Sequence, residues 1–237
     1  MSISFAYFDA GYTTGQQPTF RWPPGMAVGD LVVIYMAANR GFGIIDQLGA
    51  PLQTIDAQQM GTLCDALYIR KITGAESTLQ VYAFADVPAQ DKFFAVNGAW
   101  ITMIFRGQAD SQADGYSAVQ SPSAHIMQFP DAIATQASDE IVLLGCASSV
   151  LATLDSDTVS GYTHIATSRG ASIGVNAHAK TQASAGHTGV PNGTNSCGTN
   201  LICHTLCLFA APPPSPPPSS PPPPPPSHRS RTGVILT

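Results

Sequence analysis

The stretch Pro23-Pro-Gly-Met-Ala-Val-Gly-Asp-Leu-Val-Val-Ile-Tyr-Met36 decides the fold class. Pro23-Pro-Gly25 and Gly29-Asp30 are turn chemistry, because proline presets φ and glycine tolerates positive φ. The apolar, β-branched run that follows, Leu31 to Met36, reads as a strand entered from that turn.

The same punctuation recurs outward from it. Phe5–Phe8, Thr19–Trp22, Ala66–Ile72, Thr78–Phe84, Ala99–Phe105, Glu140–Gly145, Ser172–His178 and Leu201–Phe209 all read as strands. Gly41-Phe-Gly43, Thr73-Gly-Ala75, Gly107, Pro122, Pro130, Gly161, Gly186 and Pro191-Asn-Gly193 fall between them. Period-2 alternation dominates, and no amphipathic helix recurs between strands as a parallel α/β fold requires. The expected fold is all-β, an antiparallel β-sandwich of Ig-like or jelly-roll type. One short helical turn is expected near Asp46–Gln59, and no internal repeat of fixed period stands out.

The clearest boundary lies at Ala210-Ala211. Twelve of the twenty prolines fall between Pro212 and Pro226. A run with almost no amide donors and fixed φ forms an extended polyproline II tail, spanning about 45 Å at ~3.1 Å per residue. We therefore expect a β-sandwich domain over 1–210, a Pro-rich stalk over 211–227, and an anchoring peptide over 228–237. In that peptide Val234, Ile235 and Leu236 are suited to adding as a strand to a neighbour's sheet edge. Arg229 and Arg231, with His228, are suited to pairing with its carboxylates.

Composition narrows the partners. Only 11% of residues are charged, against roughly 25% in an ordinary soluble domain. All fifteen acids lie before the tail, together with eight of the ten bases, so the body is acidic. An acidic body is a poor partner for nucleic acid, whose binding rests on neutralising phosphates. No apolar run approaches the ~18 residues that span a bilayer, so no membrane partner is expected. The opening Met1-Ser-Ile-Ser-Phe-Ala-Tyr-Phe8 lacks the features of a secretory signal, which implies synthesis in a cytoplasm.

Chemistry-bearing motifs are absent. The histidines (His125, His164, His178, His187, His204, His228) show no metal-ligand spacing, although His178 and His187 flank a turn and could meet across a hairpin. Neither a serine elbow nor a phosphate loop appears. Asp139, Glu140, Asp155 and Asp157 read as loop and turn acids. No catalytic residue, cofactor or metal is expected, and the chain is read as no enzyme.

Five cysteines cannot all pair within one chain. Cys203 and Cys207 share a strand face about 13 Å apart, from ~3.3 Å per residue. That is too far for a bond between them. For the Cys197, Cys203 and Cys207 cluster the readings are buried thiols, or a disulfide between Cys197 and another cysteine or to a neighbouring subunit.

Several of these pieces, taken in order, resemble a family of β-sandwich proteins encoded mainly by tailed bacteriophages and prophages. Trp22–Tyr35 is similar to its "P…G…GDLLV" opening, and Ala66–Thr78 to its "YYKVA" strand and Gly-containing turn. Ala99–Gly107 resembles "AxxAFRG", and Ser138–Leu144 resembles "DGxLVLA". Lys180–Gly186 and Leu201–Phe209 also fit. The likeness spans about residues 17–210. Gly41-Phe-Gly43 replaces the family's usual "GW", and the Pro-rich tail lies outside the pattern. The resemblance implies a virion-located structural protein: a capsid decoration, neck or collar, or tail appendage. Its partners would be other virion proteins, including copies of itself. A second reading is a carbohydrate- or host-receptor-binding module of a spike or fibre, contacting host-surface glycan through loop aromatics, with Tyr116 and Tyr162 as candidates.

Overall fold

The structure is a computed structural model that describes residues 3–16, 19–21, 25–45, 52–74, 81–85, 96–107, 115–131, 140–149, 158–170 and 172–208. Stalk and anchoring peptide, with Arg229, Arg231, Val234, Ile235 and Leu236, lie outside the described residues.

Among the described residues thirteen strands follow in order: β1 (Ser4–Gln16), β2 (Thr19–Arg21), β3 (Leu31–Ala38), β4 (Gly43–Ile45), β5 (Gln53–Met60), β6 (Leu63–Lys71), β7 (Val81–Ala85), β8 (Val96–Arg106), β9 (Gly115–Gln128), β10 (Glu140–Ser148), β11 (Thr163–Arg169), β12 (Gly174–Gln182) and β13 (Asn192–Leu208). The described residues contain no helix. Gln53–Met60 is a strand where a helical turn was expected: its backbone pairs with β6, and that pairing outweighs local preference. Residues 46–51 lie outside the described residues. Pro122, expected to mark a turn, sits inside β9, where the register against β13 slips because proline offers no amide to the ladder.

All pairings are antiparallel. Two five-stranded sheets, ordered β1-β8-β3-β6-β5 and β11-β12-β10-β13-β9, face each other, and a small sheet is ordered β2-β7-β4. The main core lies between the large sheets, built from Leu31, Val33, Tyr35, Ile101, Met103 and Phe105 on one side and Ile141, Leu143, Val175, Ile202 and Leu206 on the other. The central strands β3 and β10 are buried along their whole length. Their outward residues enter two further apolar clusters, one around Ile34, Met36 and Trp100, the other around Leu144, Cys146 and Cys203. That is why Leu31–Ala38 reads as a continuous apolar run.

The expected turn before β3 is present. Gly29 has φ 91°, and the Asp30 carboxylate accepts a hydrogen bond from the Ala27 amide at 2.8 Å. Arg106 pairs with the same carboxylate at 3.3 Å and donates to the Gly25 carbonyl at 2.6 Å.

No sequence repeat is visible, but the two large sheets repeat one topology. The strands of the first large sheet, taken in chain order, run first-fifth-second-fourth-third across it, and those of the second do the same from β9. Registers agree residue by residue. Leu31 pairs with Phe105 and Lys71, and Ile141 pairs with Leu208 and Thr181. Even a β-bulge repeats, at Ile55 in β5 and at Ile165 in β11. The repeat is invisible in the sequence because a sheet fixes only which positions are inward and apolar, not which apolar residue fills them.

Candidate functional site

The repeat gives the paired positions of one large sheet counterparts in the other, and one constellation breaks the symmetry. At the edge where β5 faces β9, the Tyr35 hydroxyl donates to Asp65 Oδ2 at 2.8 Å and lies 3.3 Å from the Ile202 carbonyl. The same Asp65 oxygen lies 2.7 Å from His204 Nε2. His204 Nδ1 lies 3.1 Å from the Tyr116 hydroxyl, which also contacts Asp56 Oδ2. Gln58 Nε2 donates to Asp56 at 2.7 Å, and Gln120 Nε2 donates to Gln58 Oε1 at 2.9 Å, which carries the chain of contacts to the surface.

Register assigns the counterparts. Tyr35 corresponds to Gly145, Asp65 to Val175, His204 to Ile101, Tyr116 to Phe8, and Asp56 to Ala166. Each of these five polar residues thus has an apolar or small counterpart in the other half. The other half therefore holds its equivalent edge without a buried Asp–His–Tyr cluster, and the seam is not a requirement of the fold.

The centre of this constellation is enclosed. Asp65, His204 and Tyr35 are buried, and the neighbouring void lined by Tyr35, Gly145 and His204 holds about 10 Å³, less than a substrate needs. Burial, then the hydrogen bond and charge of Asp56, push the Tyr116 hydroxyl far up. Burial and Asp65 do the same to Tyr35. Both shifts favour the protonated phenols, which act in this chain of contacts as hydrogen-bond donors.

The opposite edge, where β1 faces β11, is stitched by the Ser168 hydroxyl on the Gly11 carbonyl. Beyond that contact it is aromatic and open. Phe5, Tyr7, Phe8 and Tyr12 on β1 are 38%, 41%, 41% and 62% exposed. Phe5 and Phe8 stack with centroids 6.4 Å apart, as do Tyr7 and Phe8, and a shallow groove runs along Phe5–Ala10. A bulge at Ala6 brings Phe5 and Phe8 to one sheet face, while Tyr7 alternates to the other. Among the described residues β1 pairs only with β8, leaving its outer backbone row open. The strand reading of Phe5–Phe8 missed this row, whose signal is three aromatics in four residues beside a sheet end.

The other sequence candidates fall apart spatially. Tyr116 stands within β9 rather than on a loop, its ring tilted against His204. Tyr162 precedes β11 with a buried hydroxyl, and Lys180 Nζ covers its ring at 4.6 Å. Cys203 and Cys207 share the outward face of β13 as thiols. Cys203 lies 3.3 Å from Cys146, a partner the sequence cluster left out. The Cys197 side chain lies outside the described residues. His178 meets His164 across the β11–β12 pair, with ring centroids 5.2 Å apart, and not His187, which bonds Asp131 at 2.8 Å. No cluster of three metal-ligating side chains occurs among the described residues.

No protein family, curated protein or solved structure matches the chain.

Proposed function

We propose that the chain is a non-enzymatic structural component of a phage particle, a capsid decoration, neck or collar, or tail appendage. Its partners are other virion proteins and further copies of itself. The observation that carries the reading is the contrast between its two sheet edges. One is closed by a polar seam, and the other presents an open strand bearing Phe5, Tyr7, Phe8 and Tyr12. Exposed aromatics beside free backbone groups are the means by which a strand is added to a sheet. The Pro-rich stalk and the Val234-Ile-Leu236 peptide supply a second contact, at a reach of about 45 Å. We read the fold as a duplicated single-sheet unit. Ig-like and jelly-roll sandwiches instead pass the chain back and forth between sheets.

Incorporation into particles tests the reading through two variants, deletion of residues 212–237 and Tyr7→Ser with Phe8→Ser. Both are expected to fold and to lose particle association. Normal incorporation of one removes that contact from the reading, and normal incorporation of both overturns it.

The exposed aromatics of β1 also favour a second reading, a carbohydrate- or host-receptor-binding module of a spike or fibre, since open rings stack on sugars. That reading moves the glycan contact from Tyr116 and Tyr162 to Tyr7, Phe8 and Tyr12. A glycan array probed with the wild-type body and its Tyr12→Ala variant separates the two, because structural docking predicts no signal from either protein.

A further inference from the structure

We propose that Cys146 and Cys203 are an oxidisable dithiol that closes to a cross-strand disulfide, taking a small-molecule disulfide such as oxidised glutathione as its oxidant. Cys146 on β10 and Cys203 on β13 are direct register partners. Opposed residues on antiparallel strands have Cα atoms about 4.5–5.5 Å apart, inside the range a disulfide spans without backbone movement. Their sulfurs already lie 3.3 Å apart, and both side chains are completely buried.

The other cysteines whose side chains the structure describes are placed worse. Cys64 belongs to the other large sheet, and Cys207 stands four residues along the same strand from Cys203, opposite Val142 and Gly115. The repeat supplies an independent argument. The counterparts of Cys146 and Cys203 are Met36 and Trp100, themselves opposed across β3 and β8. Large apolar side chains fill this pair of positions in one half, so packing does not call for two small thiols in the other.

The step balances. One cysteine thiolate attacks a sulfur of oxidised glutathione, forming a mixed disulfide and releasing one glutathione thiolate. The second cysteine thiolate then displaces the remaining glutathione and closes the protein bond. The two cysteines lose two protons to solvent and two electrons to the departing glutathione pair. Burial protects the thiols in the folded state, so closure belongs to folding or to opening of the β10–β13 pair. Once formed, the bond joins two central strands of one sheet and fits a protein that leaves a reducing cytoplasm.

The experiment is refolding of the reduced, denatured chain in a glutathione redox buffer, followed by alkylation under denaturing conditions and peptide mapping without reductant. All five cysteines compete in the unfolded chain, so the identity of the bridge is informative. The expected product links the Cys146 and Cys203 peptides, and its melting temperature exceeds that of the reduced protein by roughly 5–15 °C. Should the chain not regain its fold, the same map is made on natively purified protein held with oxidised glutathione. Alkylated Cys146 and Cys203 in folded, oxidised protein, or either one bridged to Cys64, Cys197 or Cys207, overturns the proposal.

Discussion

Tyr35 and Gly145 are counterparts in the two halves of the repeat, and they touch each other. A Cβ built on Gly145 would lie 2.9 Å from Tyr35 Cε1. Where β3 and β10 cross at the centre of the molecule, one half presents a large ring and the other the absence of a side chain. The fit is possible only because the halves have diverged: two tyrosines there would collide, and two glycines would leave a void.

Gly145→Ala is therefore expected to destabilise the protein by about 1–3 kcal/mol, the usual cost of overpacking. The ring is buried, and the void of about 10 Å³ beside it gives it little room to withdraw. Combining Gly145→Ala with Tyr35→Leu relieves the clash, so the double variant is expected to be more stable than the sum of the single costs predicts. Urea denaturation of the four proteins in the cycle checks this, and strict additivity would remove the proposed contact.

The polar seam yields the second prediction. Replacing His204 with its counterpart residue, as His204→Ile, leaves Asp65 buried without its principal partner and is expected to cost about 3–5 kcal/mol. Asp65→Val together with His204→Ile installs the pair that the other half already accommodates at Val175 and Ile101. That double variant is expected to recover most of the loss. Chemical denaturation decides the matter: a double variant no better than His204→Ile would mean that the halves are not interchangeable at this place.

The seam also shows where sequence reading stops. Strand existence was legible at Leu31–Met36, Ala66–Ile72, Ala99–Phe105 and Leu201–Phe209, because apolar runs between turn residues admit few other conformations. Gly29-Asp30 announced its turn. By contrast Asp56, Asp65, Tyr116 and His204 come from four strands in two sheets, and nothing in their spacing forecasts that they meet. The repeat was hidden for the same reason, since Tyr35 and Gly145, or His204 and Ile101, share a place but no chemistry. Edge strands such as β5 and β11 alternate weakly, with half-exposed residues on both faces, and so escaped notice.

The open β1 edge gives the third prediction. Tyr7→Ser with Phe8→Ser alters two side chains that are each 41% exposed, so the fold should lose no more than about 1 kcal/mol. Self-association of the purified protein should fall at least tenfold if copies of the chain meet through this strand. Sedimentation over a range of protein concentrations reads both variant and wild type. Equal association constants would separate the aromatic row from self-assembly.

The last prediction concerns pH. His178 on β12 is buried, both of its ring nitrogens lack hydrogen-bond partners, and His164 stands across the strand pair. Burial first, and the neighbouring His164 second, hold its imidazole down at about 4, against about 6.5 for a free histidine. Between those values the unfolded chain binds a proton that the folded chain refuses. The contribution of neutral His178 is thus fully present above about pH 6.5 and is lost as pH falls towards 4. The loss amounts to at most about 3 kcal/mol across that window. His178→Leu keeps an apolar side chain in place and removes the titrating group, so the variant should lose less stability than the wild type between pH 7 and pH 4. Thermal or urea unfolding at intervals across this range measures the difference, and parallel stability curves for the two proteins would contradict the assignment.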